Sequence, residues 1–131
     1  MKTNKIFFLI IILIITIVAC KDKSQPIVIK PDIFHKSVDR VVDVMVHDIF
    51  SPPVASRIFA YPNIAAYEII AQQNPEYNSL AGQIEHFGKI PKADVSKNIN
   101  YQLAALVAHM EVSKKLIFSE SIFLELLIMM S

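Results

Sequence analysis

The sequence is poor in the residues that build loops around charged ligands. It has 2 Gly in 131 residues, too few for a phosphate-cradling glycine loop or for most folds made of tight β-turns. Its single Cys excludes an intrachain disulfide and leaves a cysteine-based metal site short of ligands. An excess of charge is missing too: 13 Lys and Arg stand against 12 Asp and Glu, a formal net charge of +1. That balance provides no electrostatic footprint for nucleic acid, which needs a clustered basic face. What remains is apolar. Hydrophobic residues make up 53% and charged residues 19%, which describes neither a disordered nor a polyionic chain. The length allows at most one ordinary domain.

The apolar residues open the chain. Lys2 and Lys5 precede a run from Ile6 to Ala19 that only Thr16 interrupts. As a helix this run is about 21 Å long, short of the roughly twenty residues a bilayer core requires. A basic start, a short apolar stretch and a small residue at its end read as a secretory signal peptide over residues 1–19. The ending Ile17-Val18-Ala19-Cys20 resembles the lipobox of bacterial lipoproteins. The resemblance implies cleavage before Cys20, lipidation of its thiol with acyl chains such as palmitate, and a place in the bacterial cell envelope. The membrane is then a partner through Cys20, since acyl chains contribute about 0.8 kcal/mol per buried CH₂. The alternative is an uncleaved anchor helix with a buried cysteine. Residues 20–32, with the polar stretch KDKSQPIVIK, form a tether.

Beyond the tether the pattern is all-α: a signal peptide plus a small helical bundle fragment. Phe34, Val38, Val41, Val42, Met45 and Ile49 recur at helical spacing and predict a helix over Ile33–Phe50. Lys36, Arg40, Asp43 and His47 fall on its other face, able to pair along the surface. Ser51 suits an N-cap and Pro52 a first turn, so a second helix runs from Val54 to Gln73, with Pro62 expected to kink or split it. A loop carries Pro75, Gly82, Gly88 and Pro91. A last helix fits Ala93–Phe118, with Ile99, Leu103, Leu106, Met110 and Ile117 on one face. The tail SIFLELLIMMS, residues 121–131, is aberrant: it is nearly all apolar, without an evident packing partner.

No independent site rises from these residues. His35, His47, His86 and His109 form no His-x-x-x-His or His-Glu-x-x-His pair. His47 beside Asp48, with Asp43 a turn back, lacks a third metal ligand and reads as a solvated or capping histidine. His109 reads as a satisfied, semi-buried histidine of the last helix. Arg57 and Glu68 flank Pro62 and suggest an ion pair that fixes the bend. Tyr61 and Tyr67 read as core and rim aromatics, and Ser51, with no adjacent base, as a cap instead of a nucleophile. Catalytic, cofactor-binding and metal residues are therefore none, and Cys20 is the one modification site.

Two stretches nevertheless carry a family likeness. VMVHDIFSPPVASRIFAYPNIAAYE, centred on Ser51–Ala71, and YQLAALVAHMEVSKKLIFSE, Tyr101–Glu120, resemble the N-terminal region of lipoproteins in the vanadium-dependent haloperoxidase and type 2 phosphatidic acid phosphatase superfamily. The likeness covers residues 33–120 and stops where the odd tail begins, as a shortened member of the family would. It implies an all-α bundle that holds vanadate or phosphate with a lysine, two arginines, a Ser-Gly-His segment and a further histidine. Here Gly82 lies in Ala-Gly-Gln and Gly88 in Phe-Gly-Lys, while Val41 follows Arg40 and Ile58 follows Arg57. Ser-Gly-His and the family's Arg-Pro pair are both missing, so no catalytic residue carries over and no cofactor is expected on this chain.

Two readings follow. One is the inactive N-terminal portion of a lipid-anchored haloperoxidase-like or phosphatase-like protein. The other is a small lipid-anchored helical module that binds a protein partner. In either, exposed apolar faces favour self-association. Both require acylation: mass spectrometry of the membrane-associated protein should find an acylated Cys20 as the first residue, and an intact Met1 would contradict it.

Overall fold

The computed structural model describes residues 27–94 and 96–128. The apolar leader, Cys20 and most of the tether lie outside them. Four helices follow in order: α1 Pro31–His47, α2 Pro52–Gln73, α3 Tyr101–Leu116 and α4 Glu120–Ile128. Among the described residues the only β-type pairing is an isolated bridge between Ala81 and Ile84. The fold is all-α, as the periodicity requires.

Helix α1 begins two residues before the apolar pattern does, because Pro31 occupies its first turn with φ already set for a helix. Asp32 in the same turn faces the positive end of the helix dipole. The buried stripe is Ser37, Val41, Val44 and Met45. Val42 and Ile49, expected inside, are exposed. Ile49 is not helical at all: its φ is +53°. Its N–H donates to the Val46 carbonyl at 3.2 Å and the Phe50 N–H to that of Met45 at 3.3 Å. These two bonds make the reverse turn that normally ends a helix on glycine. A side chain in this left-handed conformation costs about 1–2 kcal/mol, and β-branching adds crowding.

Ser51 stands at the N-cap of α2 and Pro52 at its first position, as expected, but the Ser51 side chain makes no capping bond. Its carbonyl receives the N–H groups of Val54 and Ala55, both at 2.9 Å. Pro62 does not split the helix, which is continuous to Gln73. Ile58, Pro62 and Ala66, spaced four apart, are all buried. The proline ring lies on the inner stripe, where its burial offsets the helical bond it cannot donate.

Helix α3 starts at Tyr101, well after Ala93, where the periodicity placed it. Asp94 bends the chain first: its Oδ1 accepts from the Ser96 hydroxyl at 2.6 Å and the Ser96 N–H at 3.1 Å. Asn100 then caps α3, its Oδ1 accepting the Leu103 N–H at 3.0 Å. The loop between α2 and α3 is fastened to α2 by three of its side chains. Tyr67 donates to the Asn78 carbonyl at 2.8 Å, Glu68 accepts the Leu80 N–H at 2.6 Å and the Ser79 hydroxyl at 2.7 Å, and Gln72 accepts the Ala93 N–H at 2.8 Å.

The tail is the largest departure from expectation. Residues that lacked an evident partner form α4, and Phe123 within it is 0% exposed. It belongs to one cluster with Val41, Val44, Met45, Ile58 and Ile117, flanked by Ile122, Phe50 and Met110. Burying such a ring contributes about 1.5–3 kcal/mol. The other main contact is α3 laid along α2, the most extensive helix pairing of the molecule. No described helix is long and apolar enough to cross a membrane.

Candidate functional site

Helix α1 brings two polar constellations to its neighbours. The first lies between α1 and α3, where His109 is buried. Its Nδ1 is 3.3 Å from the Ser37 hydroxyl, and its ring meets that of Phe34 edge-on at 5.1 Å. The Ser37 hydroxyl donates its one proton to the Phe34 carbonyl at 2.8 Å. Toward His109 it can only accept, which places the imidazole proton on Nδ1. Burial, which penalises the charged imidazolium, lowers the His109 pKa from 6.5 to about 4. Ser113 completes the arrangement by donating to the His109 carbonyl at 2.7 Å. The group is a satisfied core histidine, as its sequence neighbours suggested.

The second constellation ties α1 to α4. The Asp48 side chain is 4% exposed. Its Oδ2 accepts the backbone N–H groups of Phe118 at 3.0 Å and Ser119 at 3.1 Å, and its Oδ1 accepts the Ser119 hydroxyl. His47 Nδ1 lies 3.2 Å from Asp48 Oδ1 and 3.4 Å from the Ser119 hydroxyl. Ser, His and Asp are together, yet not as a hydrolytic triad. The serine gives its proton straight to the carboxylate, and one imidazole nitrogen faces both partners, so no base stands between nucleophile and acid. Desolvation would raise the Asp48 pKa, but the hydrogen bonds from Ser119, His47 and the two N–H groups outweigh it and lower it from 3.8 to about 2. This is a structural clamp. Sequence reasoning saw only His47 beside Asp48; the partners lie some seventy residues away.

The remaining candidates separate. Arg57 and Glu68 form no ion pair: Arg57 is exposed, and Glu68, 3% exposed, turns both oxygens to Ser79 and Leu80. Eleven residues of helix hold the two about 16 Å apart. Tyr61 is half exposed and Tyr67 meets Tyr77 at 6.4 Å, so both are rim aromatics and neither is core. His35 and His86 are exposed. Arg40 pairs with Asp43 at 2.8 Å. Among the described residues no three His, Cys, Asp or Glu side chains gather as a metal site would need. Two largely apolar clefts flank α2. One of about 560 Å³ has Lys30, His35, Tyr67 and Gln102 at its edge. The other, about 590 Å³, lies under Tyr61, Ile84 and Phe87. Neither converges the cations that a bound oxyanion requires.

No family model matches the chain, and no curated protein does. A solved structure does match: that of a protein described as the first bacterial vanadium-dependent iodoperoxidase, with a TM-score of 0.77 and 59% sequence identity. The match covers 82% of this chain and 26% of that one, so this chain spans about a quarter of the relative's length. The expected likeness to vanadium-dependent haloperoxidases is thereby borne out: the chain is similar to part of a vanadium iodoperoxidase.

The two titrating groups make the segment acid-sensitive in two stages. For His109 the unfolded pKa lies above the folded one, so its contribution is complete above pH 6.5 and is lost as pH falls through about 4, at most about 3 kcal/mol. Asp48 contributes fully above pH 3.8 and fades as pH falls toward 2. Denaturant midpoints should fall between pH 7 and 4 in the wild type and stay level in His109→Leu. An unchanged slope in that variant would contradict the assignment.

Proposed function

We propose that this chain is a structural subdomain of a vanadium-dependent haloperoxidase-like protein, held at the bacterial cell envelope by acylated Cys20, and that it has no oxyanion chemistry of its own. The observation that supports the reading most is the 59% identity over 82% of the chain to a bacterial vanadium iodoperoxidase of which it spans 26%. A segment of that size supplies helices that frame a larger protein.

The residues present do not fit vanadate. Its charge calls for converging basic side chains and backbone donors. Arg40 is committed to Asp43 on α1, and Arg57 stands exposed on α2. Lys114 is held between Glu111 and Glu120, both at 3.4 Å, and these pairs raise its pKa. The buried His109 has its one donor turned to Ser37. These side chains supply no step of peroxide or phosphoryl chemistry.

The test uses the purified 131-residue chain. Vanadium NMR should show the vanadate signal unbroadened by the protein, with no oxidation of iodide or bromide by peroxide and no hydrolysis of phosphate esters. Turnover that follows the protein through purification, and that is lost on substituting one of its own residues, would overturn the reading.

A further inference from the structure

The Asn100 side chain makes two hydrogen bonds at once. Its Oδ1 accepts the Leu103 N–H at 3.0 Å, the capping bond that opens α3. Only the oxygen of an amide can take that bond, so the Nδ2 group is left as a donor. It donates to the Ile27 carbonyl, seventy-three residues away in the chain. One residue thus starts α3 and holds the described end of the tether against it.

Little else holds residues 27–30, which are not helical and lead straight into α1 at Pro31. Ile27 is 61% exposed and Val28 70%; only Ile29 is half-buried. Among the described residues no other hydrogen bond joins this segment to α2 or α3. Yet the segment has a place to close. Ile29 and Lys30 form one wall of the cleft of about 560 Å³ beside α2, whose other walls include Phe34 of α1, Ala66 and Tyr67 of α2 and Ala105 of α3. Helix α1 does not depend on this wall: Ser37 meets His109 midway, and the Asp48 clamp fixes its far end.

We propose that residues 27–30 are a strap across this cleft, latched by Asn100, and that releasing the latch opens the cleft while the helices stay folded. A segment with one tertiary hydrogen bond and little buried apolar surface opens locally far more readily than a core does. The cleft behind it is largely apolar and of the size that takes a small organic molecule, so the closed strap withholds an apolar floor from water. The strap is also the last stretch of the tether. A displacement of the preceding chain therefore bears first on the Asn100 bond.

The test is NMR on the full 131-residue chain. Asn100→Asp keeps a capping oxygen for Leu103 and replaces the amide donor with an oxygen that repels the Ile27 carbonyl. In the wild type the backbone order parameters of Val28, Ile29 and Lys30 should stand near the rigid value of about 0.85, and in the variant they should fall below about 0.6. The Leu103 amide should keep its exchange protection in both. With a neutral gadolinium chelate in solution, relaxation enhancement at the Ala66 and Ala105 methyl groups should rise severalfold in the variant, while that at the Val44 methyls in the core stays level. A strap already mobile in the wild type would overturn the latch, as would variant order parameters that match the wild type's. A strap freed without any rise at Ala66 and Ala105 would overturn its role as a wall of the cleft. If Asn100→Asp costs α3 its protection, Asn100→Ser, which also caps a helix but carries no amide donor, takes its place, and the same outcomes decide.

Discussion

The Asp48 carboxylate holds the described helices together at one point. It closes α1 and, in the same place, receives the N–H groups of Phe118 and Ser119 that open α4. Hydrogen bonds to a charged group contribute about 1.5–3 kcal/mol each when a buried partner would otherwise be left unmade. A nine-residue helix such as α4 has no stability of its own in water. Anchored through the two residues just before it, it delivers Phe123 among Val41, Val44, Met45 and Ile117. Without the clamp, α1 would lose both its neighbour and the cover of its apolar stripe.

The rest of the molecule shares this core through Ile58 of α2 and Met110 of α3. Helices α2 and α3 pack along each other, and the long loop between them is pinned by Tyr67, Glu68 and Gln72. While the buried Nε of Arg40 has no partner, the buried polar residues among those described are answered locally: Ser37 by Phe34 and His109, Ser113 by His109, and Glu68 by Ser79 and Leu80. Such groups fix how helices face each other because they cannot be left unpaired in a dry interior. The result is a framework whose polar side chains are engaged with the framework itself.

Much of this was legible in the residues. Periodicity located α1 and α2, Ser51-Pro52 located the start of α2, and the neighbours of His109 marked it as a satisfied, semi-buried histidine, which the fold buries fully. What periodicity could not see was long-range satisfaction of polar groups. Asp48 looks like an ordinary surface acid until Phe118 and Ser119 are beside it, and Glu68 looks like a partner for Arg57 until the loop returns to claim both its oxygens. Hydropathy also misread the tail. An apolar run with no polar face has no amphipathic signature, and it takes the folded chain to bring Phe123 against the Val41, Val44 and Met45 stripe of α1. The start of α3 was misplaced because Asp94 and Ser96 make a turn inside a stretch whose apolar spacing continues unbroken.

Amide hydrogen exchange at Phe118 and Ser119 tests the clamp most directly. In the wild type these two N–H groups, with those of α4, should be protected to the level of the α1 core. In Asp48→Ala their protection and that of α4 should collapse while α2 and α3 keep theirs. Protection of α4 that survives the loss of Asp48 would show that the helix is held by packing alone, and the account built on the carboxylate would fail.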